Sequence, residues 1–279
     1  MKVRSVFLSD VHLGHRGCRA EDLLAFLAEV EARNIFVIGD LIDFWALGRS
    51  AWWPQAHQDV IRALVERASA GVRVVYLPGN HDEAAREFAG MNICGIEVHR
   101  QLVHETVDGR RMLLLHGDEF DASVRCGRMR VVLGAAIYAV ALRINHLIYR
   151  ARRALELREW SLTTWLKQRV SDARAYIQLF EEAAAGAAAR AGCQGVVCGH
   201  IHHAAIREID GVLYCNDGDG VENCSSLIEN LNGKLSLVYW SEYRVRAAAR
   251  VASRVELEPM RKFTGVAQPV PQIRSASSR

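Results

Sequence analysis

Five times between residues 3 and 202, an aliphatic run stops abruptly at Asp, His or Asn. Val3–Ser9 leads into Asp10-Val11-His12, Ile35–Gly39 into Asp40 and Asp43, and Val72–Pro78 into Gly79-Asn80-His81-Asp82. Met112–Leu115 leads into His116-Gly117-Asp118, and the run ending at Cys198 into Gly199-His200-Ile201-His202. Short β-branched and aliphatic runs of this kind read as buried strands. In an open α/β sheet the carboxyl ends of the strands are where ligands bind. The recurrence therefore predicts one rim carrying Asp10, His12, Asp40, Asn80, His116, His200 and His202.

Imidazole nitrogens combined with carboxylate and amide oxygens suit Mn²⁺, Fe²⁺ or Zn²⁺, and the absence of thiols speaks against a structural zinc. Asp10 and His12 are one residue apart, as are His200 and His202, so each pair points the same way from an extended strand end. Seven ligands exceed the needs of one ion and suit two that share a carboxylate. Asp40 is the natural bridge, because its two oxygens can serve both. Two such ions about 3.5–4 Å apart can clamp a phosphoryl group and activate water.

Between the runs lie helical patterns, Ala20–Arg33 with Leu23, Leu24, Leu27 and Val30, and Gln58–Ala70. Strand and helix in alternation predict βαβ units on a largely parallel sheet. After Ile96 the texture changes. Asp108-Gly109, Asp210-Gly211 and Asn232-Gly233 are hairpin turn signals, and they predict an antiparallel later part. Residues 125–191 show no strand signal and read as a helical insertion. One domain over residues 1–249 and a poorly ordered tail from 250 to 279 complete the expected organisation.

Composition narrows the class. Half of the 279 residues are apolar and 24% charged, the balance of a folded globular chain. Seven cysteines form no CxxC pair and leave one over, which fits a reducing cytoplasm. No run of 18 apolar residues predicts a membrane span, and the amino-terminal stretch reads as a first strand. The net charge of +3 is unevenly spread, however. Residues 125–169 hold nine Arg and one Lys against Glu156 and Glu159 and contain the apolar stretch Val131–Tyr149, leaving the rest of the chain net acidic. Such a segment suits an anionic partner or peripheral contact with an inner membrane surface, or equally a helical hairpin packed on the domain.

In their order, D-x-H, GD-x-x-D, GNHD, HGD and GHxH resemble the calcineurin-like metallophosphoesterase superfamily. The resemblance implies a four-layer αββα sandwich of two β-sheets with flanking helices. It implies one cation on Asp10, His12, Asp40 and His202, and a second on Asp40, Asn80, His116 and His200. It also implies that Asn80 and His81 meet the phosphate and that His81 can protonate the leaving group. Asp43 and Asp82 are expected to orient ligand imidazoles. His203 is read as an accident of sequence beside His202, and Trp45, Trp52 and Trp53 as able to line a pocket but better placed in the core.

Within the superfamily, Gly39-Asp40-Leu41-Ile42-Asp43-Phe44-Trp45, the stretch Tyr214–Asp219 with Val221–Cys224, and the helical insertion resemble the UDP-2,3-diacylglucosamine pyrophosphohydrolases. That likeness implies cleavage of a nucleotide-linked lipid, with Mn²⁺ the expected metal and an acyl-holding cap. Two positions depart from it, His81 in place of Arg and Gly220 in place of an aromatic residue. A phosphodiesterase or phosphatase acting on nucleotides or another phosphoester is the second reading. A scaffold without turnover is the third, disfavoured because every ligand position is kept. With no appended DNA-binding module, no nucleic-acid partner is expected.

Overall fold

The aliphatic runs are strands whose two faces are both buried, and their alternation sorts side chains into three separate cores. The structure, a computed structural model, describes residues 1–121 and 171–243. β1 (Lys2–Leu8), β2 (Glu31–Ile38) and β3 (Arg73–Leu77) are parallel neighbours, with Phe7 opposite Phe36 and Ile38 opposite Leu77. Val6, Leu8, Ile35, Val37 and Val74 face α1 (Ala20–Glu29) and α3 (Gln55–Ser69), which supply Leu23, Phe26, Leu27, Val60 and Leu64. Phe7, Phe36, Ile38, Val75 and Leu77 point the other way, into a dry layer between two sheets. A short α2 (Phe44–Arg49) follows β2.

The first sheet has seven strands in the order β12-β11-β1-β2-β3-β5-β4. It is completed by β4 (Asn92–Ile93), β5 (Ile96–Val98), β11 (Ser225–Glu229) and β12 (Leu235–Tyr239). The second has five, β6-β7-β8-β10-β9. These are β6 (Leu102–Glu105), β7 (Arg111–Leu114), β8 (Gly195–Cys198), β9 (Ala205–Ile209) and β10 (Val212–Asn216). Met112, Leu114, Val197 and Cys215 fill the inter-sheet layer from this side. Leu113, Val196, Cys198 and Tyr214 face α4 (Ser171–Arg190), where Phe180, Ala184 and Ala188 are buried. Helices, sheet, sheet and helix make the four layers expected.

Glu229 is wholly buried where the sheets meet, and every oxygen is used. Its Oε2 accepts from Ser5 Oγ at 2.7 Å and lies 2.9 Å from His104 Nε2, and its Oε1 accepts from Val107 N at 2.7 Å. A buried carboxylate is tolerable on those terms.

Two expectations need correcting. The first helix ends at Glu29 rather than Arg33, because Glu31 and Ala32 pair with Lys2 and Val3 and draw those residues into β2. Pairing across the sheet outweighs a helical pattern that was weak at its end. The later part is mixed rather than antiparallel. The three turn signals do close hairpins, β6–β7, β9–β10 and β11–β12, but β7, β8 and β10 run parallel in the middle of the second sheet. Turn chemistry reports only on chain neighbours, and β8 lies between strands that are not its hairpin partners. Of the expected insertion, residues 171–190 form α4; the basic stretch 125–169 and the expected tail 250–279 lie outside the described residues. The six described cysteines are all free. Among the described residues no helix is long and apolar enough to cross a membrane.

Candidate metal centre

All five motif strands end at one rim, but the rim belongs to both sheets. β1, β2 and β3 deliver Asp10, His12, Asp40, Asn80 and His81 from the first sheet, and β7 and β8 deliver His116, His200 and His202 from the second. The strand-end loops are laced together by Asp10 N to Gly39 O at 3.1 Å and His12 N to Asp40 O at 2.8 Å. Asp10, His12, Asp40, His200 and His202 all have φ between +50° and +68°. That left-handed region costs an L residue about 1–2 kcal/mol. Strain of this kind persists where the surroundings dictate it, and it gathers at functional sites.

Glycines make room for these side chains. A Cβ on Gly79 would sit 2.3 Å from Asp40 Oδ1 and 2.7 Å from His116 Cδ2, and one on Gly199 would sit 2.3 Å from Asp10 Oδ2.

Each buried carboxylate uses one oxygen on a loop and turns the other inward. Asp10 Oδ2 accepts from His200 N at 2.8 Å, and Asp40 Oδ1 from His81 N at 2.8 Å. Asp10 Oδ1 lies 3.1 Å from His202 Nε2 and 3.8 Å from His12 Nε2, yet accepts no hydrogen bond among the described residues. Asp40 Oδ2 lies 3.4 Å from His116 Nε2 and 3.9 Å from His12 Nε2. His116 Nδ1 donates to Ile38 O at 3.0 Å, so its Nε2, 3.2 Å from Asn80 Oδ1, is left with the lone pair unless the ring is doubly protonated. The Nε2 atoms of His12 and His202 approach to 3.4 Å. Lone pairs converging at these separations, with one carboxylate oxygen orphaned, fit cations bound about 2.0–2.2 Å from each donor.

The electrostatics agree. Burial alone would raise the Asp10 carboxyl, but His202, His116 and His12 hold it well below the usual range. Asp40, likewise opposed by burial, is drawn down to about 2, chiefly by His116. Burial would depress His116, but Asp40 and Asp10 push it up to about 10. His116 thus holds a proton beside Asp40, a positive charge that a bound cation would take over.

Asp43 sits behind two imidazoles, with Oδ1 3.0 Å from His81 Nδ1 and Oδ2 3.4 Å from His12 Nδ1. It also caps α2 by accepting from Ala46 N at 2.7 Å. Asp82 does something other than expected. Its Oδ1 accepts from Gly79 N at 2.6 Å and Asp40 N at 3.2 Å, and its Oδ2 from Ile42 N at 3.2 Å and Tyr76 OH at 2.5 Å. The carboxylate is used on backbone, and so it fastens the loops after β2 and β3 together rather than aiming an imidazole. His81 Nε2 lies 4.0 Å from Asp40 Oδ2.

His200 stands at the margin. Its ring centroid is 5.1 Å from that of His116, and its Nε2 hydrogen-bonds Asp121 Oδ1 at 2.9 Å. His203 Nδ1 is 3.9 Å from Glu181 Oε1, in the direction of α4. Sequence reasoning missed Asp121, three residues past the HGD motif, and its preference for core fails at two of the three tryptophans. Trp45 and Trp53 are 49% and 38% exposed, and Trp45 lies against His81. Asp219 ends the stretch that carries the family resemblance, but its role was not read from sequence: its buried carboxylate accepts from Val221 N at 2.7 Å and Asn223 Nδ2 at 2.5 Å. Asn223 Nδ2 in turn donates to His202 O at 3.1 Å, securing one strained ligand position. The Asp-Gly-Val-Glu-Asn spacing was the available signal.

Two facing sheets with helices outside, and a shared rim of buried and half-buried Asp, His and Asn, define a metal-dependent hydrolase of phosphoesters. Residues 3–204 match the family described as calcineurin-like phosphoesterase, and the chain belongs to that family. Among curated proteins it is similar to a UDP-2,3-diacylglucosamine hydrolase of Proteus mirabilis, 27% identical over 74% of this chain and 85% of that protein. A UDP-2,3-diacylglucosamine hydrolase of Porphyromonas gingivalis is 29% identical over 45% of this chain, which there spans only 50% of the relative. Among solved structures, Yfce, a phosphoesterase from E. coli, aligns with a TM-score of 0.44 at 15% identity, over 86% of this chain and 94% of that one. That likeness is too slight to add to the family match.

Proposed function

We propose that the enzyme hydrolyses the pyrophosphate of UDP-2,3-diacylglucosamine or a similar nucleotide-linked lipid, using two divalent cations with Mn²⁺ as the working metal. One cation is assigned to Asp10, His12, Asp40 and His202, and the other to Asp40, Asn80, His116 and His200. The observation that carries the metal reading is the orphaned Asp10 Oδ1 within 3.1–3.8 Å of two imidazole nitrogens. When bound, two such cations supply Lewis acidity that polarises a phosphoryl group and makes water acidic at neutral pH.

The chain's own groups do the rest. Asp43 lies beside the Nδ1 edges of His12 and His81, at 3.4 and 3.0 Å, and Asp40 Oδ2 lies 3.9 and 4.0 Å from their Nε2 atoms. With Nδ1 beside Asp43, His81 presents Nε2 to the pocket, where it can hold a proton for a phosphoryl or leaving oxygen. Asn80 and the backbone of the GNHD loop position the phosphate against that nitrogen.

The lipid half of the reading rests on the names of the relatives and on the motifs they share. The basic segment 125–169, proposed to meet an anionic membrane surface on the cytoplasmic side, lies outside the described residues. A second reading, hydrolysis of a nucleotide or another small phosphoester, is favoured by one observation. His81 replaces an arginine that would grip a pyrophosphate by two parallel hydrogen bonds. An assay with added Mn²⁺, measuring UMP release from UDP-2,3-diacylglucosamine beside nitrophenol release from bis-nitrophenyl phosphate, separates them. Preference for the lipid by at least tenfold in kcat/KM supports the first reading. Turnover of the diester alone replaces it with the second.

A further inference from the structure

His200 is held from outside the motifs. Its backbone N–H donates to Asp10 Oδ2 at 2.8 Å and its φ is +68°. Its ring lies between His116, at 5.1 Å and 73°, and Phe180, at 6.0 Å and 29°. Asp121 Oδ1 accepts from Nε2 of the ring at 2.9 Å and from Tyr176 OH at 2.7 Å. Tyr176 and Phe180 are one turn apart on α4, so both project from the same face of that helix. Phe180 also fills the space above Gly117, where a Cβ would stand 2.6 Å from its Cζ. Arg86, bonded to Asp118 Oδ1 at 2.7 Å, ties the start of the same turn to the loop after β3.

The consequence follows from imidazole chemistry. A neutral ring that donates from Nε2 carries its lone pair on Nδ1, so Asp121 selects both the tautomer and the orientation of His200. A carboxylate behind a ligand histidine also makes the remaining nitrogen a stronger donor. From this geometry we infer that Asp121 and Tyr176 are positioning residues for His200, and that α4 thereby sets the geometry of one cation position. The inference rests on the metal assignment of His200 proposed above. It makes the last helix before β8 a structural part of the centre rather than a cover for the sheet.

The test uses the full chain, freed of metal by chelation and dialysis. Imidazole ¹⁵N NMR, with His200 assigned through His200→Gln, reads the tautomer before metal is added, and titration with Co²⁺ followed by its visible absorption reads both affinities. The wild-type ring is expected in the Nε2–H form, with two ions taken up. Asp121→Ala is expected to mix the tautomers and to weaken one of the two ions by about 10–100-fold. Tyr176→Phe is expected to produce a smaller loss of the same ion, and Asp121→Glu to restore part of the affinity. Circular dichroism on each variant guards against misfolding, and Asp121→Leu, similar in size and without an acceptor, serves if the alanine variant does not fold. A wild-type chain that takes up no Co²⁺ defeats the metal assignment and this inference with it. Two ions bound by wild type, with unchanged tautomer and affinities in a folded Asp121→Ala or Asp121→Leu chain, defeat the positioning role alone.

Discussion

The Trp45 indole lies against the His81 imidazole, ring centroids 4.1 Å apart and planes inclined by 33°. On its other side the imidazole stands edge-on to His12 at 4.6 Å, and Asp43 Oδ1 is 3.0 Å from its Nδ1. Three contacts thus fix one ring whose Nε2 faces the pocket. His81→Ala should keep its metals while kcat falls by about 10²–10⁴-fold, the range for a lost general acid or transition-state contact. Trp45→Ala should lower kcat more than it raises KM, and Trp45→Phe should recover most of the loss. Steady-state kinetics with a poor leaving group, beside elemental analysis, checks both.

Asp40 Oδ2 lies 3.4 Å from His116 Nε2 of the second sheet and 3.9 and 4.0 Å from the Nε2 atoms of His12 and His81 of the first, and it is the ligand proposed to be shared. Asp40→Ala should therefore abolish binding of both cations together, whereas Asn80→Ala should weaken only one. Elemental analysis of protein purified without chelator reads the difference. An Asp40→Ala chain still holding two ions would show that the shared position is misassigned.

Gly79→Ala should disable the site from a position that has no functional group. Its added Cβ meets Asp40 Oδ1 and the His116 ring, neither of which can retreat from a buried cluster. Overpacking of this kind costs about 1–3 kcal/mol, and metal uptake should fall with it. Gly48→Ala is the control. It lies in α2 with nothing within 4 Å of the new Cβ, and should raise stability slightly. Thermal denaturation and metal analysis on both variants test the contrast.

His57 gives a pH prediction. Its Nδ1 accepts from Gly14 N at 2.8 Å, just past His12, and burial pushes the imidazole down to about 4. Between pH 6.5 and about 4 the unfolded chain binds a proton there that the folded chain refuses, so stability should fall as pH falls through that window. Protonation would also remove the acceptor that holds Gly14. Thermal unfolding from pH 7.5 to 4.5 should show the decline, and His57→Gln should flatten it while lowering stability at pH 7.5.

The strand-end chemistry was legible because it is local. Near-continuous aliphatic runs mark β1, β2, β3, β7 and β8, which are buried on both faces, and each stops at the residue where its run breaks. Chain-neighbour turns were legible for the same reason. What sequence could not reveal depends on contacts between distant segments. Tyr176 and Asp121 are 55 residues apart, and nothing in either neighbourhood names the other. Asp82 looked like an imidazole partner because it follows His81, yet its position below the loop gives its oxygens to backbone N–H groups. Trp45 looked like core because large aromatics are usually buried, and the turn capped by Asp43 lifts it to the mouth instead.

The shared rim also fixes when, during synthesis, the centre can first exist. His12 and His202 are 190 residues apart and belong to different sheets. A ribosome adding about 5–20 residues per second needs on the order of ten seconds or more to deliver the second after the first. Throughout that interval Asp10 and Asp40 have His12 beside them but lack His202, the imidazole nearest Asp10. Under the ligand assignment proposed here, a nascent chain halted before β8 has only part of each coordination sphere and should retain no metal. Activity should then arrive late and in one step, as β8 docks beside β7.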